Sequence, residues 1–253
     1  MVPKTKNTIK SVETSLELVN TLADLEGAGV SELSDMLDMP VSTVHNHLST
    51  LKQDGYVIQK DDSYQVSFKF LEHGGKVRSN MGLFKTGRSD ADQLAEETGE
   101  LVNLMIEENG CGVHIYLTKG ENAVTFDSYA GKRSYLHNNA LGKAILAHYP
   151  HTRIKEFVER HGLPKYTPNT LTTEEELFEE LDTIADQGYA LDNEERLEGL
   201  RCVAAPITSE DSILGSVSVS GPSSRIKDGY FRETLPEKVV KTADLIGINI
   251  TYS

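Results

Sequence analysis

Apolar residues Ile9, Val12, Leu16, Val19 and Leu22 recur every three or four positions, the spacing of one helix face, until "EGAG" ends the run at Gly27 and Gly29. A second helix is expected from Ser31, a side chain suited to N-capping, through Leu33, Met36 and Leu37 to a turn at Pro40. The third spans about Val41 to Gln53 and stops before Asp54-Gly55. On its wheel Val44, Leu48 and Leu51 share a narrow arc that must face the other helices, while Ser42, Asn46, Ser49 and Gln53 fill the opposite arc. The period then changes from that of a helix to that of a strand. "YVIQKDDSYQVSFKF" holds two short β-like runs around Asp61-Asp62-Ser63, a hairpin.

Three helices followed by a hairpin is the order of a winged helix-turn-helix, assigned here to residues 1–77. Between Gly74 and Asp92 the apolar density falls and glycine mixes with charge, which predicts a linker helix over 78–92. Beyond it, "LVNLMIEE", "GVHIYLTKG", "NAVTFDSYAG", "RCVAAPITS" and "LGSVSVSG" read as strands, broken by helical stretches at 139–147, 173–187 and 227–248. Without regular βαβ alternation, this predicts an α/β (α+β) effector domain over 93–253, a mostly antiparallel sheet with helices on its faces.

Composition narrows the class. A length of 253 residues suits two medium domains, and 38% hydrophobic content with sustained periodicity is enough for a core. No run approaches the roughly 20 apolar residues of a membrane helix, and "MVPKTKNTIKSVETS" lacks a signal-peptide apolar region, so a cytoplasmic protein is expected. Cys111 and Cys202 alone make no disulfide framework.

The formal net charge is −14. That fits a well-solvated surface, and it fits a halophile, where salt screens charge repulsion to a few ångströms. Residues 1–80 hold eight Lys or Arg against eleven Asp or Glu, a balance of −3, unusual for a domain facing a polyanion. Counterion release suggests why this is workable: neutralising about six phosphates would lose roughly seven orders of magnitude in affinity between 0.15 M and 3 M salt. Base-edge hydrogen bonds, shape fit and dimer avidity then have to supply the affinity.

The short polar side chains of the third helix suit base edges, and Asn or Gln pairs bidentately with adenine. Candidate DNA contacts are Ser42, Thr43, His45, Asn46, Ser49, Lys52 and Gln53 on that helix and Lys60 at the hairpin, with Lys4, Lys6 and Lys10 as a possible phosphate-touching arm. His45 and His47, two apart, do not face one way, which argues against a metal site. In the second domain, Asn138 or Asn139 can cap a helix of small residues whose first N–H groups suit a carboxylate, and Ala140 leaves room for a ligand. "GYALDNEE" places Asp192, Glu194 and Glu195 at a strand end, and "VSVSG" puts Ser218 and Ser220 on one strand face. A plain strand-to-helix turn, a solvated charge run and an exposed strand side are the alternatives.

"VSTVHNHLSTLKQDGYV" with "YQVSFKFLEHGGKV" resembles the DNA-binding domain of the IclR family of transcriptional regulators. "HNNALGKAILAHYP", "GYALDNEERLEGLRCVAAPI" and "GSVSVSGPSSRI" resemble, in order and spacing, that family's effector domain, so the likeness covers nearly the whole chain. The family often carries a basic residue where this chain has Asn46. The resemblance implies a GAF-like effector fold, with Ala140, Leu141, Asp192, Cys202, Ser218 and Ser220 forming a pocket that Asn139 caps. It implies a regulator of catabolic genes rather than an enzyme, without cofactor or metal. Its partners would be an operator in double-stranded DNA, a small hydroxylated or keto acid, and further copies of itself as a homodimer or homotetramer. Two other classes stay open: a redox sensor using Cys111 and Cys202, and an enzyme with Cys202 as nucleophile and His114 or His137 as base. No P-loop, dinucleotide fingerprint or metal spacing supports the enzyme.

Overall fold

The computed structural model describes residues 7–124, 128–210 and 212–252. The chain divides into two units between Val77 and Arg78.

The first unit holds α1 (Lys10–Asp24), α2 (Val30–Leu37) and α3 (Val41–Gln53), then the hairpin β1 (Val57–Lys60) and β2 (Ser63–Val66). Leu18, Leu22, Leu33, Val44, Leu48 and Val57 form its core. The apolar face of α1 is only half used. Leu18, Val19 and Leu22 are buried, but Ile9, Val12 and Leu16 are 68%, 51% and 56% exposed, because the small core reaches only the C-terminal half of this helix. Helix α2 starts one residue before the expected cap, so Ser31 lies in its first turn and the Glu32 carboxylate accepts from the Gly29 N–H at 3.4 Å. The hairpin pairs Lys60 with Ser63 across Asp61-Asp62, Asp61 adopting a left-handed φ of 52° that Asp tolerates.

Helix α4 (Lys69–Ser79) buries no residue along its length. The linker helix expected over 78–92 is not one element: residues 80–81 interrupt the helical path, and α5 (Gly82–Thr98) follows. Leu83, Gly87, Ala91 and Leu94 of α5 are buried in the core of the second unit. Small residues lower the apparent apolar density of this stretch, yet they are what lets the helix pack closely. A Cβ on Gly87 would already stand 3.1 Å from Ile246.

The second unit is a six-stranded antiparallel sheet built from β3 (Leu101–Glu108), β4 (Cys111–Lys119), β5 (Arg133–Ser134), β6 (Ala190–Asn193), β7 (Leu200–Ser209) and β8 (Ser212–Pro222), in the order β5-β4-β3-β8-β7-β6. Period-two alternation sorts its residues. Val102, Leu104, Val203, Val217 and Val219 face α5 and α9 (Leu235–Thr251), whereas Met105, Cys202 and Ala204 face α6 (Ala140–Leu146) and α8 (Glu174–Gln187). Helix α7 (His151–His161), which the periodicity did not predict, adds Ile154 and Phe157 to that second layer. The strand expected in "NAVTFDSYAG" is absent from its described residues, 122–124 and 128–131, which form turns and irregular chain; residues 125–127 lie outside the description. The last helix is preceded by a π-helical turn, Tyr230–Thr234.

Candidate functional site

Val44 and Leu48, both fully buried, turn the opposite arc of α3 outward. Ser42, His45, Asn46, Ser49, Lys52 and Gln53 are exposed on it and Thr43 is half-buried. His47 is drawn inward instead, its Nδ1 2.8 Å from the Ser15 hydroxyl, which fastens α3 to α1. Lys52 Nζ donates to Gln59 Oε1 at 2.8 Å and so ties this helix to the wing. Lys60 is exposed at the wing tip beside Asp61 and Asp62, also exposed. Lys10 opens α1 and is exposed, while Lys4 and Lys6 lie outside the described residues. The arrangement is a rigid polar face, rich in hydrogen-bonding groups and poor in positive charge.

A cavity of about 570 Å³ opens in the second unit. Of the residues singled out in the sequence, Asn139, Leu141, Asp192, Cys202 and Ser220 line it; Ala140 and Ser218 are fully buried and do not. Strand register explains the grouping: Asp192 stands opposite Cys202, Cys202 opposite Ser220, and Ser220 opposite Leu101, a row across β6, β7, β8 and β3. At the start of α6, Asn139 Oδ1 accepts from the Gly142 N–H at 2.9 Å and the Asn139 carbonyl accepts from Lys143 at 3.1 Å. That leaves the N–H groups of Ala140 and Leu141 without a protein acceptor among the described residues. Gly142 is required here, since any Cβ would run into the Leu136 backbone.

Asp192 Oδ1 accepts from the backbone N–H of Glu195 at 2.7 Å and of Arg196 at 3.4 Å, closing the strand-end turn. Thr167 and Thr170 donate to the carbonyls of Glu194 and Glu195 at 2.7 and 2.6 Å, pinning that turn from the side. From it Arg196 reaches the cavity wall, joined there by Lys132, Arg133, His114 and Asn103. Sequence reasoning missed Arg196, Lys132, Arg133 and Asn103 as site residues, and named His114 only as the base of an enzyme. Behind the turn, Lys143 is fully buried between Glu195 Oε1 at 2.7 Å and Glu180 Oε1 at 2.8 Å. Burial alone would lower the Lys143 pKa, but the two carboxylates outweigh it and the pKa is raised.

Burial, then the neighbouring Glu195 charge, pushes Asp192 up to about 7. Burial and the Asp192 charge push the Cys202 thiol up to about 12, while the Ser220 hydroxyl donates to its sulfur at 3.1 Å. Such a thiol stays protonated and is a poor nucleophile. His137 is fully buried, contacts the Pro164 carbonyl at 3.2 Å and does not line the cavity. Strands β4 and β7 are separated by β3 and β8, about 14 Å between strand axes at the usual spacing. That puts His114 beyond hydrogen-bond reach of Cys202 and Cys111 beyond the roughly 7 Å Cα limit for a disulfide. Among the described residues no group of His, Cys, Asp or Glu is arranged to hold a metal ion, and no helix is long and apolar enough to cross a membrane.

Residues 11–61 match the family described as the IclR helix-turn-helix domain, and residues 75–248 match the bacterial transcriptional regulator IclR C-terminal domain. The probable HTH-type transcriptional regulator ArcR of Halobacterium salinarum is 30% identical over 247 residues, covering 96% of this chain and 94% of that protein. The HTH-type transcriptional regulator BhcR of Paracoccus denitrificans is 37% identical over 241 residues, covering 93% and 85%. Among solved structures, the Thermotoga maritima IclR superposes with a TM-score of 0.75 at 28% identity, covering 95% of this chain and all of that one.

Proposed function

The chain belongs to the IclR family of transcriptional regulators, with a DNA-binding helix-turn-helix domain and a C-terminal effector domain, and from that premise we propose that it switches catabolic genes in response to a small hydroxylated or keto acid. The observation that carries this is the 570 Å³ cavity, whose wall combines Asp192, Ser220 and Leu141 with the cations Lys132, Arg196 and Arg133, the last ion-paired with Glu108. The cations favour an anion, the N–H of Leu141 suits a carboxylate with Ala140 packed behind it, and Asp192 and Ser220 suit ligand hydroxyls. Ser218 and Cys202 support the wall from the sheet, and Asn139 holds the helix start in place.

Operator DNA is read by Ser42, Thr43, His45, Asn46, Ser49, Lys52 and Gln53, with Lys60 at the wing. The protein acts in the cytoplasm as a homodimer or homotetramer. Exposed Ile9, Val12 and Leu16 on α1, together with Phe68, Leu71 and Val77 at α4, support contact with a second copy. Effector and operator are linked: a ligand that prefers one arrangement of the assembled copies changes operator affinity, and the operator changes ligand affinity by the same factor. The acidic surface and the Halobacterium relative support a salt-loaded cytoplasm as its setting. The buried, protonated Cys202 disfavours both the redox sensor and the thiol enzyme.

Genome-wide mapping of bound sites tests the reading, since neighbouring genes name the pathway and its acids. Those acids should shift operator binding in a gel-shift titration. If no carboxylate changes operator affinity, the acid-sensing reading is wrong.

A further inference from the structure

Among the described residues, nine buried side-chain polar atoms have no hydrogen-bond partner, and five of them belong to residues lining the effector cavity: Asn103 Oδ1, both ring nitrogens of His114, and the hydroxyls of Ser128 and Ser134. Buried polar groups are normally matched, so such a concentration marks a place where a ligand supplies the partners. We propose that His114 and Asn103 form a hydroxyl-reading floor in this cavity, which selects acids bearing hydroxyl groups along the chain beyond the carboxylate. The inference rests on the acid-sensing reading above and says which protein groups set its specificity.

His114 is 4% exposed and Asn103 is 3% exposed. His114 stands opposite Met105 of β3, and Asn103 lies two residues from Met105 on the same face of that strand, across a β-bulge in the pairing, and both line the cavity. Burial, with the charges of Arg196 and Lys132, holds His114 down at about 4, so the ring is neutral at physiological pH. A neutral imidazole donates from one nitrogen and accepts at the other, while the Asn103 oxygen only accepts. A carboxylate cannot match that set, because two of the three atoms would face it with lone pairs. An ammonium group would meet the cations Arg196 and Lys132. An apolar chain leaves every atom unmatched. A pair of hydroxyls, each donor and acceptor, satisfies all three atoms while the carboxylate goes to the cationic wall.

The test is calorimetric titration of the full-length protein with glycerate, threonate and gluconate against their deoxygenated counterparts propionate, butyrate and hexanoate. At least one aldonate is expected to bind about tenfold or more tightly than its counterpart. His114→Phe should cut that preference about tenfold, leaving only what Asp192 and Ser220 contribute, while raising the melting temperature of the ligand-free protein, since it removes two unmatched buried atoms; a merely structural histidine would lower it. Asn103→Leu provides the same comparison should His114→Phe fail to fold. Equal binding of the two series, or a preference undiminished in both variants, overturns the hydroxyl-reading floor and leaves acid sensing intact. Silence of both series in a protein that still binds its operator overturns the floor and acid sensing together.

Discussion

Asp192 closes a turn and lines the cavity at once. Its Oδ1 is committed to the turn amides of Glu195 and Arg196, so Asp192→Ala should cost roughly 1–3 kcal/mol in stability as well as ligand affinity. Asp192→Asn is the cleaner probe, because an amide oxygen still accepts from Glu195 but no longer titrates. The folded-state pKa is raised from 3.8 to about 7. Below the lower value both states hold the proton; between the two the folded state binds more, so stability falls as pH rises and the loss is complete above about 7. Urea denaturation at a series of pH values should show this slope in the parent and a flatter one in Asp192→Asn, and an unchanged slope in the variant would assign the titration elsewhere. Asp192 was legible in the sequence, as a carboxylate at a strand end. Arg196 and Lys143 were not, since a lone charged residue reads as surface and only contacts distant in sequence bury it, and His114 was read only as the base of an enzyme. Lys143 meets Glu195 from 52 positions away.

At the scale of elements, period and capping chemistry carried most of the information. Strand β3 falls on the mostly apolar run "LVNLMIEE", α3 on the stretch from Val41 to Gln53, and α6 on the cap at Asn139. Elements lacking a strong apolar period were misread: α7, with two buried residues in eleven, and α5, whose packing face is made of Gly87 and Ala91 as much as leucine. Two predictions belong here. Lys143 joins α6 to α8 and to the turn after β6, and removing it leaves Glu195 and Glu180 uncompensated; Lys143→Met should therefore destabilise by roughly 3–5 kcal/mol in denaturant titration. A loss below 1 kcal/mol would mean the carboxylates simply take up protons. On α3, Asn46 is exposed and central, so Asn46→Ala should leave the melting temperature unchanged. It should narrow the ratio of operator to scrambled-DNA affinity by about 1–3 kcal/mol, read by quantitative footprinting.

For the whole molecule the question is how a chain of net charge −14 holds a polyanion. Cations on the reading face are few: Lys52, itself bonded to Gln59, and Lys60, flanked by Asp61 and Asp62. If each of the two reaches one phosphate, a dimer engages about four, and at a slope near −0.9 per phosphate the logarithm of operator affinity should fall with the logarithm of salt with a slope of about −4. In the proposed dimer, affinity lost in the electrostatic part comes from two half-sites bound together. That requires the exposed apolar faces of α1 and α4 to be covered, and Leu16→Glu combined with Leu71→Glu should shift the protein toward monomer in analytical ultracentrifugation and weaken operator binding with it. Measuring the parent's operator affinity from 0.1 M to 2 M salt separates the two contributions, because avidity and base-edge hydrogen bonds do not release counterions while phosphate contacts do. A slope near −10 would require more phosphate contacts than these lysines supply and would move the source of affinity to the residues before α1, Lys4 and Lys6 among them. A slope of about −4, with binding still measurable above 1 M, would place affinity in the polar face of α3 and in the proposed pairing of copies, contributions that salt weakens least.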